Sequence, residues 1–268
     1  MRPAQRMYRF FNILSLDVAV GAVCGALFFA RLLGVAILPL GLISLGLTVW
    51  IIYTVDHLMD AKNVRVTAST ARHRFHQQYF KALFAIVMLA TAANVVMIFF
   101  IRRPVFLGGL VLVLIVAIYL VIHRYVRFPK ELLIAMLYTA GVLLPSVAVT
   151  TLPLSAWPWI TIAQFALTAL LNLMLFSWYD AASDRMDGNT SMALLAGERN
   201  IRKIIWCTSF VNLVLSVINP DVAPAVTLAV MNLMLLIVFI KRSYFSKHDR
   251  FRLVGDAVFF IPIIYWLL

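Results

Sequence analysis

The sequence predicts an all-α membrane protein, a polytopic bundle of about nine transmembrane helices, and three observations lead to that fold class. Of the 268 residues, 63% are hydrophobic and only 13% are charged, and the mean hydropathy is +0.96. The apolar residues form runs close to the roughly 20 residues that a helix needs to cross a bilayer. The basic residues concentrate in alternate loops between these runs. A water-soluble domain is excluded, because a domain of this size exposes much of its side-chain surface to water and in this chain that surface would be apolar. A disordered chain is excluded, because disorder requires low hydrophobicity.

Nine segments are apolar enough to be spans, and turn-forming or charged residues separate them. They cover residues 11–30, 34–55, 78–100, 105–122, 131–151, 159–179, 202–218, 223–240 and 253–268, of which the ninth is the shortest. The first run contains Asp17 and is too long for a signal-peptide core, so it is interpreted as a retained helix. Residues 1–268 then form a single transmembrane domain.

The distribution of charge predicts the orientation of these spans. With the N-terminus in the cytoplasm, 20 of the 23 lysines and arginines lie on the cytoplasmic side, and only Arg31, Arg102 and Arg103 lie outside. Basic residues collect in cytoplasmic loops, so this orientation is the expected one. The net charge of +12 is then explained by topology and not by nucleic-acid binding. We expect a multi-pass integral membrane protein, in the inner membrane if the cell is bacterial.

Four of the eleven acidic residues form two D-x-x-x-D pairs, Asp56 with Asp60 and Asp180 with Asp184. The spacing puts both carboxylates of a pair on one helical face, and each pair follows an even-numbered span on the cytoplasmic side. Equivalent members are 124 residues apart, which indicates a duplication relating helices 1–4 to helices 5–8. Paired like charges require a cation, and carboxylates suit Mg²⁺ shared with substrate phosphates. Solvated acids at helix ends are the alternative, which the helix dipole disfavours.

Basic residues accompany both acidic pairs on the same side and are candidates for binding a diphosphate, because guanidinium groups match phosphate oxygens. The candidates are Lys62, Arg72, Arg74, Lys130 and Arg185. Arg124 and Arg127 form a third basic set with Lys130. Lipid headgroups or topology alone also explain such cations. The histidines lack the spacing of a zinc site.

The second acidic pair carries a family resemblance. The segment YDAASDRMDGNTSMALLAGERNIRK, which contains Asp180, Asp184 and Gly188, resembles the second motif of the UbiA superfamily of intramembrane prenyltransferases. Members of that family have nine helices, and their two aspartate-rich motifs follow helices 2 and 6. The resemblance in topology extends over the whole chain.

The first motif is divergent. In IYTVDHLMD the two aspartates are retained, but Ile52 and Tyr53 replace the asparagine and aspartate with which the family motif begins. Arg72 stands where the family has a basic segment ending in Arg-Pro, and Lys130 in RYVRFPKEL resembles a family lysine after helix 4.

The resemblance implies a Mg²⁺-dependent enzyme that ionises an isoprenyl diphosphate and transfers the prenyl group to a lipophilic or aromatic acceptor, such as a quinone precursor. The expected catalytic and metal-binding residues are the four aspartates. The divergent motif leaves open a terpene cyclase of the same type, and an ion-coupled membrane transporter is the alternative from another class. The expected partners are the diphosphate, the acceptor and the lipid bilayer, and the sequence gives no oligomeric state.

Polar and aromatic residues within the spans are candidates for the prenyl and acceptor pocket. They are Asn12, Asp17, Tyr53, Asn172 and Tyr179. A buried acid in a membrane segment is costly and points to function, whereas aromatic faces shelter carbocations. Hydrogen bonding between helices explains Asp17 and Asn172 equally well. Asp256, in the last segment, is interpreted as a helix-packing residue.

Overall fold

The computed structural model describes residues 3–63, 70–122, 130–188 and 190–267, and every regular element in these ranges is helical, which confirms the predicted all-α class. In chain order the helices are α1 Pro3–Ile13, α2 Leu16–Leu32, α3 Pro39–Asn63, α4 Ala71–Gln78, α5 Phe80–Ile98, α6 Arg103–Ile122, α7 Lys130–Val147, α8 Trp159–Asp187, α9 Met192–Ala196, α10 Glu198–Ile218, α11 Val222–Ile240, α12 Arg242–Phe245, α13 Arg250–Ala257 and α14 Pro262–Leu267. Short 3₁₀ turns occur at Leu154–Ala156, Lys247–Asp249 and Val258–Phe260.

Six helices in the described part of the chain are long and apolar enough to cross a membrane, namely α3, α5, α7, α8, α10 and α11. The bent pair formed by α1 and α2 adds a seventh if it is one span. Large apolar side chains on α5 and α6, such as Leu89 and Leu114, are exposed, which is expected of surfaces that face lipid. The chain is therefore a multi-pass membrane protein. The count of nine spans and the cytoplasmic N-terminus stay predictions.

The first predicted span is not one straight helix. α1 and α2 meet at an angle of 79°, and Ser15 between them has a φ of 55°, which is incompatible with a continuous right-handed helix. α1 instead turns toward the C-terminal segment, where the hydroxyl of Tyr8 donates to the main-chain oxygen of Leu253 at 3.1 Å. The last predicted span is also divided, between α13, a 3₁₀ turn and α14.

The loop after α3 contains a helix of its own. α4 begins after Thr70, whose hydroxyl accepts a hydrogen bond from the main-chain nitrogen of His73 at 3.2 Å. This is the N-cap arrangement that starts a helix by satisfying one of its free amide groups. α4 packs against α1, α3 and α5, so it lies over the ends of the long helices.

α8 lies at the centre of the bundle and packs against α7, α10 and α11. Its Phe165 is fully buried and meets Phe29 of α2 edge to face, with ring centroids 5.2 Å apart. Gly25 on α2 permits the close approach of α7 and α8, because a Cβ there would lie 2.7 Å from Cγ1 of Val142 on α7 and 3.0 Å from Cζ of Phe165. The core of α2, α7 and α8 forms one wall of a cavity, and α3, α5 and α6 enclose its other sides.

Candidate active site

The two acidic pairs occupy equivalent positions at the ends of α3 and α8. Asp56 and Asp60 lie in the last two turns of α3, Asp180 and Asp184 lie in the last two turns of α8, and each helix ends three residues after its second aspartate. Gly188 ends α8 with a φ of 74° and donates its N–H to the main-chain oxygen of Asp184. Glycine adopts this left-handed conformation without strain, so the glycine of the second motif serves to terminate the helix.

All four aspartates line one cavity of about 460 Å³. Its walls come from α3, α5, α6, α7 and α8, and α4 and α13 contribute to its charged end. Away from the aspartates the lining is mostly apolar and includes Val49, Ile98, Phe106, Val113 and Leu137. A cavity with one charged end and a long apolar remainder matches a molecule with an anionic head and a hydrocarbon tail.

Lys130 interacts electrostatically with carboxylates of both acidic pairs. It is the first residue of α7, is half-buried and lines the cavity. Its ammonium group is close enough to Asp56, Asp60 and Asp184 to interact with all three. The positive charge thus acts on carboxylates from both α3 and α8.

Arg72 reaches the cavity from α4 and is buried. Its Nη2 donates to the main-chain oxygen of Asn12 at 3.0 Å and to the Asn12 side-chain oxygen at 3.1 Å, and it lies 3.8 Å from Oδ2 of Asp256. The side-chain nitrogen of Asn12 donates to Asp256 at 2.8 Å and also to Asp17. Nη1 of Arg72 lies 3.4 Å from Nε2 of His57. A buried network from four helices therefore holds this guanidinium at the charged end.

The histidines near Arg72 form a cluster of aromatic contacts. The rings of His57 and His76 have centroids 5.1 Å apart, and those of His57 and His73 are 6.1 Å apart. Burial lowers the pKa of His73 and of His76, and the neighbouring charge of Arg72 lowers both further. These two rings therefore favour the neutral form.

Arg252, from α13, forms an ion pair with Asp180, donating from Nη2 to Oδ2. The exposed fractions of the two side chains are 18% and 15%, so both are largely removed from water. The guanidinium carbon lies 5.4 Å from the ring centroid of Phe176, and all three residues line the cavity. A second arginine thus contributes to the charged end.

The donor set at the charged end fits a hard divalent cation that is only partly coordinated by protein. No group of three or more His, Cys, Asp or Glu side chains converges as a ready metal site in the part of the chain that the structure describes. Four carboxylates nevertheless face one cavity from two helices. Mg²⁺ keeps several waters and is usually held by one or two carboxylates together with substrate phosphates, so these donors fit it.

The structure places the five predicted pocket residues differently. Tyr53 and Asn172 line the cavity, and Oδ1 of Asn172 has no hydrogen-bond partner among the described residues. Asn12 and Asp17 are buried behind Arg72 and are not part of the cavity lining. The hydroxyl of Tyr179 donates to the main-chain oxygen of Val238 at 2.8 Å, away from the cavity.

The predicted diphosphate-binding residues also separate into two groups. Arg72 and Lys130 line the cavity, whereas Lys62, Arg74 and Arg185 are exposed and do not. Arg124 and Arg127 lie outside the described residues.

Sequence reasoning missed three charged residues of the cavity lining. They are Arg252 and Glu131, for which the sequence predicts no role in the site, and Asp256, which it assigns to helix packing. Arg252 and Asp256 are four residues apart on α13, so their shared helical face was a signal that could have been used. Glu131 accepts a hydrogen bond from the main-chain nitrogen of Met192 at 2.7 Å, which ties the segment after the second motif to α7.

Comparison with solved structures identifies the fold. The apo structure of a UbiA homologue from Aeropyrum pernix K1 superposes with a TM-score of 0.70 at 15% identity, covering 93% of this chain and 98% of that chain. A UbiA homologue from Archaeoglobus fulgidus bound to GPP and Mg²⁺ gives a TM-score of 0.67 at 15% identity, with coverages of 96% and 98%. A UbiA homologue from Archaeoglobus fulgidus bound to DMAPP and Mg²⁺ gives a TM-score of 0.62 at 14% identity, with coverages of 97% and 99%.

No protein-family model matches the chain, and no curated protein matches it at a significant level. The structural likeness nevertheless spans at least 93% of its length in each of these three comparisons. The chain therefore has the fold of the UbiA homologues, as its two acidic motifs predicted.

Proposed function

We propose that this protein is a Mg²⁺-dependent intramembrane enzyme that ionises an isoprenyl diphosphate and transfers the prenyl group to a lipophilic or aromatic acceptor. The observation that carries the proposal is the convergence of two carboxylate pairs with Lys130, Arg72 and Arg252 at the charged end of one mostly apolar cavity. The ligands in the Archaeoglobus fulgidus structures, GPP or DMAPP with Mg²⁺, support it.

The charged end would bind the diphosphate. Asp56, Asp60, Asp180 and Asp184 would hold Mg²⁺, which when bound stabilises the negative charge that develops on a phosphate leaving group. Lys130 supplies a positive charge between the two pairs, and the arginines supply forked donors for phosphate oxygens. These groups would lower the energy of the departing diphosphate.

The apolar end would hold the hydrocarbon tail and the carbocation. Tyr53, Tyr138 and Phe259 line the cavity, and the faces of aromatic rings stabilise a positive charge without reacting with it as readily as water does.

A prenyltransferase and a terpene cyclase differ in the group that reacts with the allylic carbocation. In a prenyltransferase an acceptor captures the cation, whereas in a terpene cyclase a double bond of the same chain does. A transporter would need its ion-binding acids near the middle of the bilayer, on interrupted helices. Here the four acids lie in the last two turns of α3 and α8, under α4 and α13, which favours diphosphate chemistry.

The acidic pairs also bear on topology. We propose that the charged end opens to the cytoplasm, because the predicted positive-inside orientation puts both pairs on that side. The matching ends of α3 and α8 support the proposed duplication of helices 1–4 and 5–8 within a single domain.

The test is Mg²⁺-dependent release of pyrophosphate from isoprenyl diphosphates of increasing chain length, added to membranes that contain the protein. We expect release that EDTA abolishes and Mg²⁺ restores. An apolar product formed without any acceptor would identify a cyclase, and a prenylated product that requires an aromatic acid would identify a transferase. Absence of release at every chain length would contradict the enzyme proposal.

A further inference from the structure

Arg252 binds one of the carboxylates that the proposed function assigns to Mg²⁺. Its ion pair with Asp180 is largely buried, and its contact with Phe176 holds the guanidinium against the cavity wall. The same positive charge also acts on Asp184, the other member of the pair. Arg252 is thus positioned to affect the whole second acidic pair.

A guanidinium and a metal ion compete for such a carboxylate. Both interact with the oxygen lone pairs, and both are positively charged, so each weakens the binding of the other. A metal ion that coordinates Asp180 therefore has to displace or share the hydrogen bond from Arg252.

The surroundings of Arg252 favour an anion as its next partner. Arg72 and Arg252 both line the charged end and repel one another. Two neighbouring cations in a partly buried wall are stabilised when an anion binds near both. A diphosphate held between the acidic pairs would provide that anion, and its oxygens match the guanidinium fork.

We propose that Arg252 couples metal and diphosphate binding by exchanging its partner, from the carboxylate of Asp180 to an oxygen of the diphosphate. The inference rests on the proposed function. Arg252 then lowers the affinity for the metal ion when the metal binds alone, and raises that affinity when the diphosphate binds as well. A residue that only binds phosphate would raise the metal affinity in the presence of the diphosphate and leave it unchanged otherwise. A purely structural residue would change the metal affinity in neither case.

The test measures metal affinity with and without a phosphate ligand, on the purified full chain in detergent. Mn²⁺ replaces Mg²⁺ so that free metal is counted by its electron paramagnetic resonance signal, and inorganic pyrophosphate is the anion, with its own binding of Mn²⁺ in solution subtracted. The variant is Arg252→Gln. The matched control is Arg250→Gln, because Arg250 lies on the same helix, stacks over Tyr244 at 4.4 Å and does not line the cavity.

We expect Arg252→Gln to bind Mn²⁺ alone about tenfold more tightly than wild type. The factor by which pyrophosphate increases the Mn²⁺ affinity should be about tenfold smaller in the variant. Both sizes are those expected for removal of one charge-assisted contact. Arg250→Gln should match wild type in both measurements. If Arg252→Gln does not fold, Arg252→Lys should shift both affinities in the same directions by about threefold, because lysine keeps the charge without the fork.

An unchanged or weaker affinity for Mn²⁺ alone in the Arg252 variants would overturn the proposal, and so would equal shifts in Arg250→Gln. Failure of the proposed function gives a different result. In that case wild type and Asp184→Asn would bind Mn²⁺ equally, whatever residue stands at position 252.

Discussion

Arg72 on α4 donates two hydrogen bonds to Asn12 on α1, at 3.0 Å to its main-chain oxygen and at 3.1 Å to its side-chain oxygen. Asn12 in turn donates to Asp256 on α13 and to Asp17 on α2. One arginine from the loop after α3 therefore links the first two helices of the chain to a helix near its end. Because Arg72 also lines the cavity, the same network fixes the position of a guanidinium group that we propose binds the diphosphate.

Replacing Arg72 with alanine is expected to destabilise the protein strongly. The change leaves Asp17 and Asp256 buried next to each other without the opposing charge, and breaking a buried ion pair in this way costs roughly 3–5 kcal/mol. The thermal unfolding midpoint of the purified protein in detergent measures the effect. Lys81→Ala, which removes a positive charge at an exposed position near the start of α5, is the control and is expected to change stability by less than about 0.5 kcal/mol. Equal losses in the two variants would contradict a special role for Arg72.

Loss of a carboxylate from either acidic pair is expected to abolish Mg²⁺-dependent turnover. Asp56→Asn and Asp184→Asn each remove one anionic oxygen donor from the cavity, and the rate of pyrophosphate release should fall by at least about a hundredfold. Unfolding midpoints should stay near that of wild type, since neither side chain is part of the core. Asp221→Asn, at an exposed residue before α11, controls for loss of charge. Wild-type rates of pyrophosphate release in both aspartate variants would contradict the assignment of Mg²⁺ to these carboxylates.

Enlarging Gly255 is expected to disturb the contact between α13 and α8. A Cβ at this position would lie 2.6 Å from Cε1 of Phe176 and would also collide with the side chain of Asn172, which lines the cavity. Overpacking of this kind costs about 1–3 kcal/mol, so Gly255→Ala should lower the unfolding midpoint. Gly141→Ala on α7 is the control, because the added carbon would have no heavy atom within 4 Å apart from its chain neighbours and the backbone of its own helix. A Gly255 variant as stable as the Gly141 variant would show that α13 is free to move away.

The protein is expected to lose stability in mild acid through His76. Burial lowers the pKa of this side chain in the folded state, whereas in the unfolded chain it is about 6.5. Below that pH the unfolded chain binds more protons than the folded one, so stability decreases as the pH falls toward the folded pKa. Unfolding midpoints at about pH 7.5 and about pH 5 should differ more in wild type than in His76→Gln. The exposed His248 provides the control, and His248→Gln should behave as wild type.

The acidic pairs could be recognised in the sequence because their chemistry depends on local spacing. An interval of four residues sets two carboxylates on one face of any helix. The same geometry explains the position of Tyr179. It precedes Asp180 by one residue, which rotates it by about 100° around α8 and directs its hydroxyl to Val238 on α11.

The partners of these side chains could not be read from the sequence, because they come from distant segments. Arg252 reaches Asp180 across 72 positions, and Asn12 reaches Asp256 across 244. The docking of α1 on α13, which accompanies the change of direction at Ser15, also joins distant segments, since Tyr8 donates to the main-chain oxygen of Leu253.

The sequence by itself determined that the chain is an all-α membrane protein with two equivalent acidic helix ends, since apolar runs and periodic spacing are local properties. The tertiary structure decided which cations meet those acids. Arg72, Lys130 and Arg252 line the cavity, whereas Lys62, Arg74 and Arg185 remain exposed, although all six are basic residues on the same predicted side. The physical reason is that packing of α4, α7 and α13 against the ends of α3 and α8 selects the charges that become buried, and packing depends on contacts between segments far apart in the chain.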